Sequence, residues 1–259
     1  MKWSRKTYEP LEFVQKSLQT ALYIEVKNMK SWKLEPLSDR QQTEEDDTFI
    51  GGRPKLPPEI LLPSCQLCGR ELTFFFQVAF PQGHKWEGKS MAVFYCVEEW
   101  HDQHCIPELP PGSSLNKVDV TADFLAQYQR NFRVLVFDTE KAAPVEGYQE
   151  KVAFQSIAIT QEDKTDGRWE MVIGGRPIWI MGRSEKPASV AGDKKPVLLL
   201  QVREDFKFPI LPDAPREADP FFPTKVSPFS WYNLFARDRI YFWGGQSREE
   251  EWVYVSVQK

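Results

Sequence analysis

Two segments of this chain, about half its length apart, carry the same sequence pattern. Residues 49–54 read Phe-Ile-Gly-Gly-Arg-Pro, and residues 172–177 read Val-Ile-Gly-Gly-Arg-Pro. Downstream of each, an apolar run ends in Gln-Val, with Gln77 26 residues after Gly51 and Gln201 27 residues after Gly174. Two shared landmarks at nearly equal spacing indicate an internal repeat, which has to be settled before any other feature of the fold. We therefore expect two copies of one module.

Composition and charge exclude several classes of protein. A hydrophobic content of 41% with 14% aromatic residues is enough to build a core. A net charge of −4 argues against a binder of nucleic-acid phosphates, which normally has a basic face. The basic first residues are not followed by the apolar core of a signal peptide, and no apolar run reaches the length of a membrane span. We predict a soluble, cytoplasmic protein with neither nucleic acid nor membrane as a partner.

Short apolar runs rich in β-branched and aromatic residues recur along the chain, which is typical of β-strands. They lie at 72–80, 91–97, 132–137, 152–159, 169–173, 197–202, 239–243 and 252–257, and a short helix is predicted at 122–130. The predicted fold class is α+β and β-rich: an internal duplication of two similar, mainly antiparallel β-sheet modules packed together. The modules are placed at 1–140 and 150–259, either as two units or as one compact globule. Packing is expected because each sheet needs a partner for its apolar face.

The repeated Gly-Gly-Arg-Pro turn has a structural and a functional interpretation. The structural interpretation is a tight strand exit in which glycine takes a positive φ and proline fixes the next segment. In the functional interpretation Arg53 and Arg176 hold a carboxylate or a phosphate. We favour the structural interpretation and keep the two arginines as binding candidates. Gln77 and Gln201 each lie within an apolar strand, where they are expected to satisfy buried backbone groups.

All four cysteines lie in the first half of the chain. Cys65 and Cys68 form a Cys-x-x-Cys-Gly motif, and Cys96 and Cys105 follow the next apolar runs. A hairpin between these runs would bring the two pairs together, and four thiolates are typical of a closed structural zinc site. Because His101 and His104 lie between the last two cysteines, one of them can replace a cysteine ligand, with His104 the stronger candidate.

Other uses of these cysteines fit the sequence less well. Structural disulfides are disfavoured inside cells, and a redox Cys-x-x-Cys usually opens a helix, whereas this pair leads into a strand. The second half has Ser189 and Gly192 at the positions equivalent to Cys65 and Cys68. Since neither residue binds zinc, we predict that the site either stabilises the first module locally or takes part in binding a partner.

The paired turns connect the chain with a known family. The two Ile-Gly-Gly-x-Pro turns, each followed by an apolar strand that ends in glutamine, resemble the YwqG-like bacterial proteins of unknown function. The run 240–243, which follows Asn-Leu-Phe at 233–235, fits the same pattern. The resemblance spans both halves and implies a duplicated α+β architecture with no assigned enzymatic activity.

The first half is also similar to the programmed cell death protein 2 family. The turn at 51–54, the motif at 65–69, the strand at 74–78 and the Phe-x-Cys strand at 94–96 match that family's order of motifs. This resemblance implies zinc binding and a chaperone-like role for a ribosomal protein. The chain departs from the family at 84–90 and in lacking cysteines in its second half.

No constellation of catalytic residues stands out. All three histidines lie near the cysteines, and neither a Ser-His-Asp set nor a metal-hydrolase helix is present. The acidic runs at 44–47 and 249–251 are interpreted as solvated loop charges. We therefore predict that the protein is not an enzyme.

The preferred functional hypothesis is a protein-binding scaffold. Prolines cluster at 209–228, in a loop whose aromatic residues are of the kind that dominates interfaces: Phe221, Phe222, Phe229 and Trp231. The predicted partner is another protein, either a toxin neutralised by a bacterial immunity protein or a basic client such as a ribosomal protein. A small-molecule site between the modules that uses both arginines, or an unrecognised enzyme, is the remaining alternative. The sequence does not indicate an oligomeric state.

Overall fold

The computed structural model describes residues 30–38, 40–97, 107–110, 118–163, 165–180, 186–217, 225–247 and 250–258. Their one α-helix, α1, spans Ala122–Tyr128. The strands are β1 Ser31–Leu37, β2 Phe49–Ile50, β3 Lys55–Leu56, β4 Thr73–Ala79, β5 Lys89–Tyr95, β6 Asp119–Val120, β7 Phe132–Asp138, β8 Ala143–Pro144, β9 Gln155–Glu162, β10 Met171–Gly174, β11 Ser189–Val190, β12 Val197–Val202, β13 Phe208–Pro209, β14 Trp231–Tyr232, β15 Arg239–Ser247 and β16 Glu250–Gln258. The prediction of a β-rich fold is confirmed.

One ten-stranded sheet organises the described residues. Its order is β16-β15-β12-β10-β1-β9-β2-β4-β5-β7, and each neighbouring pair is antiparallel. The sheet therefore runs continuously across both predicted modules. Three two-stranded pairs lie beside it: β6 with β11, β13 with β14, and β3 with β8.

The two central strands, β1 and β9, each pair with a strand from the other half of the chain. β1 belongs to the first half but pairs with β10 of the second, while β9 of the second half pairs with β2 of the first. The registers match, since Lys33 pairs with Val172 and Ser156 pairs with Phe49. A single shift of 123 residues takes Phe49 to Val172 and Lys33 to Ser156. The two halves thus have equivalent pairings, related by an approximate two-fold axis between β1 and β9.

The outer strands of each half share a second irregular feature. The pairing of β4 with β5 shifts register between Phe74 and Phe76, and that of β12 with β15 shifts between Leu198 and Leu200. In both halves the shift lies just before the glutamine that the two sequence segments share, Gln77 or Gln201. A β-bulge bends its strand and increases the local twist, so both halves curve at the same point.

The described residues form two buried apolar clusters, and the larger one combines residues of both halves and is rich in aromatic side chains. Phe75, at the first bulge, is fully buried and its ring centroid lies 4.9 Å from that of Phe208, edge to face. Phe76 meets Phe242 of the other half at 5.9 Å, also edge to face. Such pairs contribute beyond their buried area, and here they join the two halves into one core.

Helix α1 helps to bring the two edge strands of the sheet, β7 and β16, together. Thr121 caps its N-terminus by accepting a hydrogen bond from the Phe124 N–H. At the other end, the buried Tyr128 hydroxyl donates to the Val253 carbonyl at 3.1 Å and accepts from the Val255 N–H at 2.8 Å. Both partners lie in the edge strand β16, so the tyrosine satisfies backbone groups that an open edge would expose. The sheet is nearly closed as a result.

None of the helices in the described ranges has the length and apolar character needed to cross a membrane.

Candidate metal centre

Three of the predicted metal ligands meet at one end of the β4–β5 hairpin. Cys65 and Cys68 lie in the turn before β4, and Cys96 directly follows β5. Because Thr73 at the start of β4 pairs with Tyr95 at the end of β5, the two ends of the hairpin are adjacent. The prediction that a hairpin brings the cysteine pairs together is confirmed for these three residues.

The backbone of the Cys-x-x-Cys-Gly turn is tightly folded around the first cysteine. The Cys65 N–H donates to the Arg70 carbonyl at 2.7 Å, and the Gly69 N–H donates to the Cys65 carbonyl at 2.8 Å. Gly69 has a φ of +77°, in the left-handed region that glycine adopts without strain. This turn directs Cys65 and Cys68 toward the same point.

Cys96 is held in place by the short segment between α1 and β7. Its N–H donates to the Asn131 carbonyl at 2.9 Å, and the Gln66 N–H, within the turn, donates to the Arg130 carbonyl at 2.7 Å. Residues 130 and 131 therefore fix both cysteine-bearing segments at once. The site is built on hydrogen-bonded backbone from three separate parts of the first half.

The sulfur atoms form a compact group that could hold a metal ion. All three Sγ atoms lie within 4.8 Å of one another, and those of Cys68 and Cys96 are 3.7 Å apart. The three cysteines are free thiols. A set of soft thiolate donors at this separation suits a thiophilic cation.

Burial shapes the chemistry of these thiols. Cys65 and Cys96 are 1% and 3% exposed, while Cys68 is partly exposed. Desolvation raises the pKa of Cys65 and of Cys96, and the neighbouring sulfurs raise that of Cys96 further. Without a cation the buried thiols stay protonated, whereas a bound metal ion would favour the thiolates. The group therefore has the features of a metal site rather than of a reactive thiol.

The predicted fourth ligand, Cys105, lies outside the described residues, as do its alternatives His101 and His104. Its role stays a prediction.

At the equivalent place, the second half has a hydrogen-bonded serine instead of a cysteine. Ser189 begins β11, and its hydroxyl donates to Asp119 Oδ1 at 2.7 Å beside the β6–β11 pair. A tight turn follows, in which the N–H groups of Val190 and Asp193 donate to each other's carbonyls. Hydrogen bonds across short strands thus replace the cysteine turn in this half.

The Gly-Gly turns have the predicted structural role. Gly51, Gly52, Gly174 and Gly175 all have positive φ. A Cβ on Gly51 would lie 2.4 Å from the Ala153 carbonyl oxygen, and one on Gly175 would lie 2.2 Å from Thr165 Oγ1. The turns need glycine both for conformation and for close packing.

The buried glutamines complete these turns, as predicted. Gln77 Oε1 accepts from the Lys55 N–H at 3.2 Å, and Gln201 Oε1 accepts from the Ile178 N–H at 3.0 Å. Gln201 also donates from Nε2 to the Arg176 carbonyl at 2.9 Å. Lys55 and Ile178 each directly follow the turn proline, so the two glutamines satisfy equivalent buried backbone groups.

The structure does not bring the two candidate arginines together. β9 and β10 are both antiparallel to β1, and β2 is antiparallel to β9, so β2 and β10 run in opposite directions. Arg53 and Arg176, which follow these strands, therefore leave the sheet at opposite ends of the strands. Arg53 is half-buried, with its guanidinium 3.7 Å from Glu146, and Arg176 is exposed. One small ligand held by both arginines does not fit this topology.

Two of the four predicted aromatic contacts form a stacked pair. The rings of Phe229 and Trp231 lie 4.5 Å apart at 22°, and both residues are partly exposed. Lys207 Nζ lies 4.5 Å from the Trp231 centroid, and Arg237 Cζ lies 5.1 Å from that of Phe229. We call Phe229 and Trp231 the aromatic pair. Phe221 and Phe222 lie outside the described residues.

The prediction that the run 44–47 consists of solvated charges is wrong for Asp46. This residue is 8% exposed, and its carboxylate accepts two hydrogen bonds from the Arg40 guanidinium, one of them 2.7 Å long. It also accepts from the Thr43 N–H at 2.8 Å. Hydrogen bonding to Arg40 lowers the pKa of Asp46 to about 2. The signal that could have revealed this role is the spacing of Thr43 and Asp46, which suits a side-chain-closed turn.

Comparisons with known proteins do not assign this chain to a family. A scan against protein-family models finds no match, and the curated proteins contain no match to the sequence. The resemblances to the YwqG-like proteins and to the programmed cell death protein 2 family stay predictions. Functional inference therefore depends on the sites themselves.

Proposed function

We propose that this protein is a non-enzymatic protein-binding scaffold that arose by internal duplication and carries a structural zinc ion in its first half. The observation that carries the binding proposal is the aromatic pair with a cation against each ring. Aromatic side chains and arginine are enriched at protein interfaces, and tryptophan and arginine are among the residues that most often carry the binding energy.

Duplication is supported by the matching registers of the two halves. The shared turns, the equivalent β-bulges and the two glutamines each recur at nearly the same spacing. The exchange of β1 and β9 between halves places the two copies in one sheet, which explains why they share a core.

Zinc is the proposed metal because of the ligand chemistry and spacing. In a tetrahedral thiolate site with Zn–S bonds of about 2.3 Å, neighbouring sulfurs are about 3.8 Å apart. The Cys68–Cys96 separation of 3.7 Å corresponds to such an edge. Cys65, Cys68, Cys96 and, as proposed fourth ligand, Cys105 would hold the ion. A closed site of this kind supplies folding stability and leaves no open position for catalysis.

The absence of catalysis is supported by the environment of His84. It is the only histidine among the described residues, it is 8% exposed, and its ring stacks on Phe80 at 4.7 Å. Its Nδ1 accepts the Trp86 N–H at 3.1 Å. Both features are those of a packed core residue rather than of a general base open to substrate.

The proposed partner is another protein, and its identity distinguishes two versions of the function. A toxin would make this chain an immunity protein, and a basic client such as a ribosomal protein would make it a chaperone. Because no pocket needs to close around such a partner, an exposed aromatic anchor is sufficient for either.

The test is affinity capture of the full-length protein from its native host, followed by mass spectrometry and measurement of affinity for the recovered partner. We expect one stoichiometric protein partner and at least about tenfold weaker binding, equivalent to about 1.4 kcal/mol, when Phe229→Ala and Trp231→Ala are combined. Trp231→Phe keeps an aromatic ring and should retain most of the affinity.

Leu61→Ala is the matched control, because Leu61 is 84% exposed and belongs to the first half. Unfolding midpoints of all variants show whether the aromatic substitutions only disturb the fold. Binding that survives loss of the aromatic pair but fails in Leu61→Ala would contradict the proposed surface. Absence of any protein partner would contradict the scaffold proposal itself.

A further inference from the structure

A cavity of about 910 Å³ lies where the first Gly-Gly turn meets the junction of the two halves. Its walls come from the loop at 40–44, from Arg53, from the segment 143–150, and from Phe154 and Leu211 of the second half. Its volume lies within the range typical of small-molecule sites. None of the functions discussed above uses it.

The loop that forms one wall is held rigid before any ligand arrives. The buried Asp46 carboxylate binds Arg40 with two hydrogen bonds and closes the turn onto the Thr43 N–H and hydroxyl. The Arg40 guanidinium also lies 5.8 Å from the Phe154 ring centroid. The charge of Arg40 is therefore already compensated, and its side chain forms structure rather than a free binding group.

Arg53 is positioned from its backbone. The Gln42 side-chain amide accepts from the Arg53 N–H and donates to the Arg53 carbonyl, both at 2.8 Å. The Val145 N–H also donates to the Pro54 carbonyl, which joins the turn to the opposite wall. Arg176, at the same place in the other half, has Thr165 instead of a glutamine, and its N–H donates to that hydroxyl at 3.1 Å. Of Arg53 and Arg176, only Arg53 lines this cavity.

Charged groups of both signs line the cavity. Arg53 contacts Glu146 only loosely, at 3.7 Å, and the Glu146 side chain is 91% exposed. Glu44 and Glu150 also line the cavity, and neither carboxylate has an ion-pair partner in the described part of the chain. With Arg40 compensated by Asp46, one arginine faces three carboxylates. The remaining lining is apolar, from Ala143, Pro144, Phe154 and Leu211.

We propose that this cavity binds a free basic amino acid, with its α-carboxylate on Arg53 and its ammonium and cationic side-chain groups on Glu44, Glu146 and Glu150. An arginine side chain is suited to recognise a carboxylate by paired hydrogen bonds. Because three carboxylates and one uncompensated arginine line the cavity, we expect it to favour a ligand with more positive than negative charge over dicarboxylates and phosphates. The apolar lining accommodates the methylene chain between the two charged ends.

The test is isothermal titration of the full-length protein with L-arginine, and with two analogues that each lack one charged group. Agmatine has no carboxylate, and L-citrulline has a neutral side chain. We expect saturable binding of L-arginine, with each analogue at least about tenfold weaker. Equal affinity for agmatine, or no binding of L-arginine at millimolar concentration, would overturn the proposal.

Variants separate the cavity from the rest of the molecule. Arg53→Gln and Glu150→Gln should each weaken L-arginine binding by at least about tenfold. Arg176→Gln is the matched control, since this arginine has the same place in the repeated motif but lies at the opposite end of the strands. If Arg176→Gln weakens binding as much as Arg53→Gln, the ligand does not occupy this cavity. Loss of the aromatic pair should leave this binding unchanged, so the result is independent of the proposed protein partner.

Discussion

Acidification should destabilise this protein through His84. The side chain is surrounded by aromatic residues: its ring lies 4.7 Å from Phe80 and 5.7 Å from Trp32. Since Nδ1 accepts the Trp86 N–H, the proton of the neutral ring is on Nε2. Burial lowers the pKa of His84 from 6.5 to about 4, and no neighbouring charge contributes to the shift.

Whether stability rises or falls with pH depends on which state of the protein, folded or unfolded, binds the proton of His84 first as the pH falls. Because the folded pKa is lower than the unfolded one, the unfolded chain is protonated first as the pH falls. The stability that His84 contributes is complete above pH 6.5 and is lost between pH 6.5 and about 4. The loss is about 2 kcal/mol between pH 7 and 4.5 and approaches about 3 kcal/mol at lower pH.

The assay is urea unfolding of wild type and His84→Gln at pH 7.0, 5.5 and 4.5. The variant loses packing at every pH, but its stability should depend less on pH, so the difference between the two proteins should shrink by about 2 kcal/mol at pH 4.5. The pH dependence of the metal site is common to both proteins and cancels. Parallel curves would show that His84 is not buried in its neutral form.

Three further substitutions test the turns and loops. Gln201→Leu removes the hydrogen bonds to the Ile178 N–H and to the Arg176 carbonyl and should lower the free energy of unfolding by about 3 kcal/mol. An unchanged urea midpoint would contradict this role. Asp46→Asn should lower the free energy of unfolding by about 1–2 kcal/mol at pH 7. This difference from wild type should vanish as the pH falls from 3.8 toward 2. Ala236→Gly should raise the free energy of unfolding by about 0.5 kcal/mol, because Ala236 has a φ of +57° and the relief of left-handed strain exceeds the entropic cost of glycine. A lower stability in thermal unfolding would contradict the strain.

The local features that depend on one residue type could be predicted from the sequence. Glycine pairs before proline identify turns with positive φ, and a glutamine inside an apolar strand needs a buried partner. The Cys-x-x-Cys-Gly motif and the short apolar runs were sufficient to place three cysteines around one hairpin. Each of these inferences needs only local spacing and elementary chemistry.

The central strand β1 could not be predicted in the same way. It contains Pro36, which normally argues against a central strand because proline has no N–H to donate. In the structure β10 pairs only with residues 31–34 of β1, so Pro36 lies beyond that pairing and loses no hydrogen bond on that side. The exchange of β1 and β9 depends on contacts between distant residues, which local sequence patterns do not reveal.

The cavity beside Arg53 was missed for a related reason. Its walls come from four separated parts of the chain, and the acidic run at 44–47 suggested only solvation. The pairing of Arg40 with Asp46 converts that loop into a fixed wall. Such a wall becomes visible only when the side chains are placed in three dimensions.

The claim that three cysteines form a zinc centre is tested most directly by metal analysis of freshly reduced protein. We expect about one zinc ion per chain in the wild type and loss of the metal in Cys65→Ser, Cys68→Ser and Cys96→Ser. Cys105→Ser shows whether the proposed fourth ligand contributes, with His104→Ala as the alternative. Substoichiometric zinc in reduced wild type, or full retention of zinc in Cys96→Ser, would contradict the site.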